Sequence, residues 1–282
     1  MPQSRIIYIS RASGRPRKKT GRKSRRLIFW AGVTFVIVIA AGLFVPRIPA
    51  LQITEIHMSS VPSVDGAAAR ELAAAMLEGT RWGFLPNRFF LAVSEGMIAS
   101  QLLNRFPRLD AVDVEVSFNH LEVILREREL FGVMCRGAVQ EGSQNLIAAP
   151  PCAYVDTKGI AYEEAPQSSG RLLLVIIRDE ALPPVPSRVL DEHTLAVMTS
   201  ILQRAGDQGI GISGFSLLAR VPSEIRARAK EGFIITLMKE DDMASAFQVI
   251  KTVLDKEIKE RRDELDYIDA RFGNKVFYKF KE

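Results

Sequence analysis

LIFWAGVTFVIVIAAGLFV, residues Leu27 to Val45, runs for nineteen residues without a charge. A helix rising about 1.5 Å per residue over that length reaches close to the ~30 Å hydrocarbon core of a bilayer, where a soluble helix would show a polar face. The stretch reads as one membrane span, residues 27–46, dividing a short tail from an outer part of more than 230 residues.

The flanks orient that span. Met1 to Arg26 holds ten Lys or Arg and no Asp or Glu, and Arg47 is the only charge just beyond the apolar run. The positive-inside rule then makes residues 1–26 a basic cytoplasmic tail and places everything after the span outside. The formal charge of +5 hides this division, because the chain beyond the tail carries −5. A basic run can bind nucleic acid by releasing counterions from phosphate. This one lacks interleaved aromatics and a folded frame, so it reads as a topology determinant that touches anionic lipid headgroups, and no nucleic-acid partner is expected. A cleaved signal peptide competes with the anchor, since Ala40-Ala41-Gly42 offers small residues in the right pattern. The apolar run nevertheless continues through Leu43, Phe44 and Val45, as an anchor's does.

The outer part has the composition of a globular protein, 47% hydrophobic and 25% charged, and its length suits two domains. Pro46 and Pro49 make a short stiff link. Leu51 to Met58 predicts a strand with imperfect alternation. A helix follows, capped by Asp65, with Ala69, Leu72, Ala73 and Met76 as its apolar stripe and Gly79 as its stop. An aromatic-rich connector, Trp82 to Phe90, leads to a second helix capped by Ser94, with Ile98, Leu102, Leu103 and Phe106 inward and Pro107 at its end. Val112, Val114, Val116 and Phe118 alternate with polar residues as one face of a strand, and Leu121, Val123 and Leu125 repeat the pattern after a turn at Asn119-His120.

Strand, helix, helix, strand, strand, directly after an N-in anchor, resembles the POTRA domain of the FtsQ/DivIB bacterial cell-division family. The resemblance is carried by LQITEI, by SEGMIASQLLNRFP ending at a proline, by VDVEVSF, and by LEVILRERE closing on a Glu-Arg pair. Where the family usually places a proline soon after that pair, Leu130 and Phe131 stand instead.

Past Glu129 the pattern is mainly strands: Phe131 to Cys135, Cys152 to Glu164 with a tight turn at Lys158-Gly159, and a buried Arg171 to Asp179. VDTKGIAY resembles the family's strand-turn-strand. After Pro183, Pro184 and Pro186, Asp191 begins a helix with Leu195, Met198, Ile201, Leu202 and Ala205 inward and Gly206 as its stop. Phe215 to Ala219 and Gly232 to Lys239 read as strands. A long helix capped by Asp242 follows, with Met243, Phe247, Ile250, Val253, Leu254 and Ile258 on one face. LDYIDARFGNKVFYKF closes the chain as two strands around Gly273-Asn274. This ending is the most specific match, since Tyr267, Asp269, Arg271, Phe272 and Gly273 sit where the family's closing pattern wants them. The expected fold class is therefore α+β: a single N-terminal transmembrane helix, a POTRA domain (β-α-α-β-β) over 51–128, and a mainly antiparallel β-domain with flanking helices over 129–282.

Nothing in this pattern assembles chemistry. His57, His120 and His193 have no ligand-like spacing, so no metal is expected. Gly209 to Gly214 fits G-x-G-x-x-G, but a helix precedes it and a strand follows, the reverse of a dinucleotide site, and it reads as a flexible loop. Glu127 with Glu129, and Glu163 with Glu164, read as solvated strand ends. No catalytic residue and no cofactor is expected. Cys135 and Cys152 are the only cysteines. They form a disulfide if their segments pair as a wide hairpin, or else stay reduced and buried.

Binding remains. An edge strand carries unpaired backbone groups to which a partner can add a strand. If Lys275 to Phe280 lies at an edge it is the natural dock, with Val276 and Tyr278 alternating against Lys275, Phe277 and Lys279. The resemblance implies a non-enzymatic divisome scaffold in the cytoplasmic (inner) membrane at the septum. It further implies FtsB/DivIC-like and FtsL-like single-span partners that dock beside this C-terminal segment, with Arg271 and Phe272 gripping the partner and Arg271 pairing an acidic side chain. Core packing is the competing reading of Phe272, Phe277 and Tyr278. A membrane-anchored cell-wall enzyme or sugar-binding module of the same layout is the competing function.

Overall fold

The computed structural model describes residues 22–139, 146–167, 172–273 and 275–281. The tail before residue 22, Arg171 of the expected buried strand, Asn274 of the expected turn and part of the loop between the cysteines lie outside the described residues. The protein is mixed α+β, with one N-terminal apolar helix and a large, mainly β domain.

Along the chain the elements run α1 (Arg22–Phe44), β1 (Glu55–Met58), α2 (Gly66–Met76), β2 (Thr80–Arg81), β3 (Leu85–Pro86), α3 (Glu95–Arg105), β4 (Leu109–Val116) and β5 (His120–Glu127). There follow β6 (Leu130–Val139), β7 (Leu146–Asp156), β8 (Ile160–Ala165), β9 (Val175–Arg178), β10 (Ser187–Arg188), α4 (Glu192–Asp207), β11 (Ile212–Leu217) and β12 (Glu224–Ala229). The last four are β13 (Ile234–Met238), α5 (Met243–Val253), β14 (Leu265–Phe272) and β15 (Lys275–Phe280).

Two compact units emerge. Among the described residues the first gathers the chain from α1 up to Glu55, Leu77–Val93 and Ser117–His120. Within it Arg26–Arg47 is long and apolar enough to cross a bilayer, with a mean hydropathy of 2.5, which suits a membrane anchor and a signal sequence alike. Pro46 and Pro49 sit in two short 3-10 turns, Val45–Arg47 and Pro49–Leu51. Their missing N–H groups cost nothing at a helix start. The expected strand from Leu51 therefore begins late: Gln52 makes one bridge to Phe89, and regular pairing starts at Glu55.

In the second unit, β1, β5 and β4 form a three-stranded sheet in that order. Leu121, Val123 and Leu125 are buried on β5, and Ala69, Ala73, Ile98 and Leu102 are the buried positions of α2 and α3. Asp65 Oδ1 accepts the N–H of Ala67 at 2.9 Å, a side-chain cap. Ser94 holds the N-cap position of α3 without a side-chain bond. Phe118, expected on the buried face of β4, is exposed, because Ser117 N–H bonds the carbonyl of His120 and turns the chain two residues early.

The rest builds one ten-stranded sheet, β10-β8-β7-β6-β9-β11-β12-β13-β14-β15. It is mostly antiparallel, but β9 pairs in parallel with both β6 and β11, and β13 with β14. Parallel neighbours need a crossover, and α4 and α5 supply two of them. Both helices pack on one face, where Val197, Met198, Ile201, Ala246, Phe247 and Ile250 meet Met134, Ile176, Phe215, Ala227, Ile235 and Ile268 in the main core. Val133, Cys135 and Cys152 form a small cluster of their own.

Three expectations fail for identifiable reasons. Of the described residues 172–179 of the expected buried strand, only Val175–Arg178 is strand, and Leu172 is almost fully exposed. α4 runs through Gly206, and the left-handed residue past its end is Gly209. β12 was not anticipated at all, although Ile225, Ala227 and Ala229 alternate with Glu224, Arg226 and Arg228. Two of its three inward residues are alanines, too small to stand out as a hydrophobic period.

Candidate partner-binding edge

The C-terminal hairpin owes its orientation to alternation. Ile268 and Ala270 are buried against the core, so Tyr267, Asp269 and Arg271 face the other side of the sheet. β15 pairs with β14 through Tyr267↔Lys279, Ile268↔Tyr278, Asp269↔Phe277 and Phe272↔Lys275, and Gly273 takes the left-handed conformation of the turn at φ 64°. β15 stands last in the sheet, so among the described residues no strand pairs with its outer side.

Val276 and Phe280 are half-buried against the core, and the Arg261 guanidinium lies 4.1 Å from the Phe280 ring centroid. Phe272 and Phe277 are 53% and 55% exposed and meet edge to face at 5.3 Å. Tyr278 is 39% exposed. None of these three rings is core; Phe277 shares its face of β15 with the exposed Lys275 and Lys279, while Tyr278, opposite Ile268, lies on the core-facing side of the edge.

Arg271 has partners within the chain. Its Nε and Nη2 donate to Asp269 Oδ1 and Oδ2 at 2.9 and 2.6 Å, and its Nη1 donates to Glu224 Oε2 at 2.7 Å. Glu224 Oε1 also accepts from Arg226 Nε at 2.7 Å. Two guanidiniums thus balance two carboxylates, and Glu224, itself buried, staples β12 to β14. Burial opposes ionisation of Asp269, yet the hydrogen bonds and charge of Arg271 outweigh it and hold the carboxyl below its ordinary range. Hydrogen bonding to Asp269 raises the Arg271 guanidinium, against its own partial burial. Arg271 therefore orders the hairpin, with its guanidinium carbon 5.6 Å from the Phe272 centroid. The signal for this clamp was the EIRARA alternation of β12.

Elsewhere, Cys135 and Cys152 face each other in the β6–β7 register and are joined, with sulfurs 2.04 Å apart. Ile212 to Gly214, read as part of a flexible loop, belongs to β11, and a Cβ on Gly214 would collide with the carbonyl of Val175. The glycine is there for close strand packing. Glu163 pairs with Arg108 at 2.5 Å, and Glu127 accepts the N–H of Ser63 at 2.6 Å. Buried Asp156 accepts the N–H groups of Lys158 and Ile160 and pairs with Arg128 at 2.6 Å, so it holds the β7–β8 turn. Among the described residues no group of three or more His, Cys, Asp or Glu could hold a metal ion.

No protein-family model matches the chain, and no curated protein matches it either.

Proposed function

We propose that the chain is a membrane-anchored scaffold of the FtsQ/DivIB type, one that positions other single-span division proteins outside the inner membrane, at the septum. It acts by binding rather than by catalysis. The observation that carries this reading is β15: a six-residue strand at the edge of a ten-stranded sheet, without proline, whose exposed Phe277 meets Phe272 at the end of β14. A partner strand laid along it gains main-chain hydrogen bonds, while the exposed rings and Lys275 favour an apolar strand with an acidic flank.

The order β1, α2, α3, β4, β5 supports a POTRA-like first outer domain, with the small β2–β3 hairpin inserted in its connector. The basic tail and apolar helix support an N-in, single-pass topology. The partners proposed are FtsB/DivIC-like and FtsL-like proteins.

The test is co-purification of an FtsB/DivIC-like partner from detergent-solubilised membranes with the full-length chain and with a Phe272→Ala/Phe277→Ala variant. Both rings are exposed, so the variant keeps its fold, and its recovery of partner is expected to fall at least about tenfold, the loss of one or two interface anchors. Equal recovery from both would remove β15 as the dock. Arg271→Glu is a poor probe, because it would break the intramolecular clamp as well.

A further inference from the structure

We infer that the first unit carries a second, interfacial membrane contact: Trp82, Phe84, Leu91 and Phe118 dip into the headgroup layer of the bilayer that α1 crosses. This rests on reading α1 as a membrane span. Trp82 is 77%, Leu91 73%, Phe118 64% and Phe84 41% exposed, and they come from three separate places in the sequence. Their rings fall in two groups: Phe118 lies 5.0 Å from Phe90, which lies 5.2 Å from Phe89, and Trp82 lies 6.3 Å from Phe84. A small unit that clusters such side chains on its outside presents an apolar patch meant to be covered.

What covers it follows from where the backbone is tied. Gln52 Nε2 donates to the carbonyl of Pro46 at 3.0 Å, Ile53 N–H to Arg88 at 2.8 Å, Phe90 N–H to Leu51 at 3.2 Å and Thr54 N–H to Asn119 at 2.8 Å. The β2–β3 hairpin packs through β3 on the Val45–Arg47 turn. Every segment bearing an exposed ring is thus stitched to the few residues that leave the span, and 3-10 turns rising only about 2 Å per residue hold those residues near its end. Aromatic side chains concentrate at this depth of a bilayer, with arginines reaching for phosphate, and Arg47, Arg81 and Arg88 accompany the rings with Glu55 and Glu78 as the acidic residues of the same unit.

The hairpin tip is built to present its indole. Trp82 sits at φ 54°, a left-handed conformation unfavourable for a bulky residue, and it does so while facing outward. Water gives no return for that arrangement. A lipid interface does.

The chain has two tryptophans, Trp30 in α1 and Trp82, so Trp30→Phe and Trp82→Phe each leave one reporter. Full-length single-tryptophan proteins are reconstituted in phosphatidylcholine–phosphatidylglycerol vesicles, with and without bromine on the acyl chains near the headgroups. The Trp82 reporter is expected to shift to the blue and lose about half its emission to bromine, as an indole seated 5–10 Å into the interface would. Bromine-insensitive, water-like Trp82 emission alongside a quenched Trp30 reporter would overturn the interfacial contact and leave the anchor standing. Loss of quenching at both would overturn the anchor and this contact together.

Discussion

The two edges of the large sheet are finished in opposite ways. At one end β10 is two residues long, follows Pro183, Pro184 and Pro186, and has Arg188 Nη1 turned back onto the carbonyl of Lys158 at 2.9 Å. Short strands, prolines and charges are how sheets avoid joining other chains. At the other end β15 has six residues, no proline and exposed rings. One edge strand thus offers two residues beside prolines and the other offers six without a proline, which is the physical basis for proposing that a partner docks at β15.

The comparison can be broken by removing what supports the open edge. Phe247 is fully buried on α5, the helix that packs against β14 and β15. Phe247→Ala is expected to cost about 3–5 kcal/mol in urea unfolding, with loss of partner capture. An unchanged midpoint would mean that the open edge does not depend on α5.

A change between the two edges should separate stability from binding. Cys135→Ala/Cys152→Ala removes a bridge spanning 17 residues, with an expected loss of about 3 kcal/mol by the same measurement and no loss of partner recovery. Native protein denatured without reductant should show no free thiol, and two free thiols would contradict the bridge.

Acid should loosen the open edge. The folded-state pKa of Asp269 is depressed, so its contribution is present above the unfolded carboxylate value and is lost as pH falls through the folded one. Unfolding free energy measured against pH should therefore decline below the ordinary carboxylate range, and Asp269→Asn should flatten part of that decline. A variant curve parallel to the parent's would show that the clamp contributes nothing to acid sensitivity. The smallest effect is expected at the closed edge: Arg188→Ala, on an exposed side chain, should change stability by less than about 0.5 kcal/mol and leave partner recovery intact. Capture impaired by Arg188→Ala would reverse the assignment of the two edges.

Much of the fold was legible locally. The charge-free run from Leu27, the alternation of β5, the Asp191 and Asp242 caps and the closing β14–β15 hairpin are each properties of a few adjacent residues. β12 escaped because alanines mark its inward face, and Phe118 was misplaced because a turn bond, not the alternation, ends β4. Of the candidate site, the residues could be named in advance, but the occupation of Arg271 by Asp269 and Glu224 could not, since Glu224 lies 47 residues away in sequence.

Periodicity of side chains suffices to say that this chain has an apolar rod, amphipathic helices and half-buried strands, because those preferences act between neighbours three or four residues apart at most. Which strand borders which is settled by long-range packing. The two crossovers through α4 and α5 put both helices on one face, order ten strands, and leave β15 without a neighbour. Only that arrangement makes the C-terminal segment an edge, and only the backbone ties beside Gln52, with the packing of β3 on the Val45–Arg47 turn, gather Trp82, Leu91 and Phe118 into the unit that holds α1.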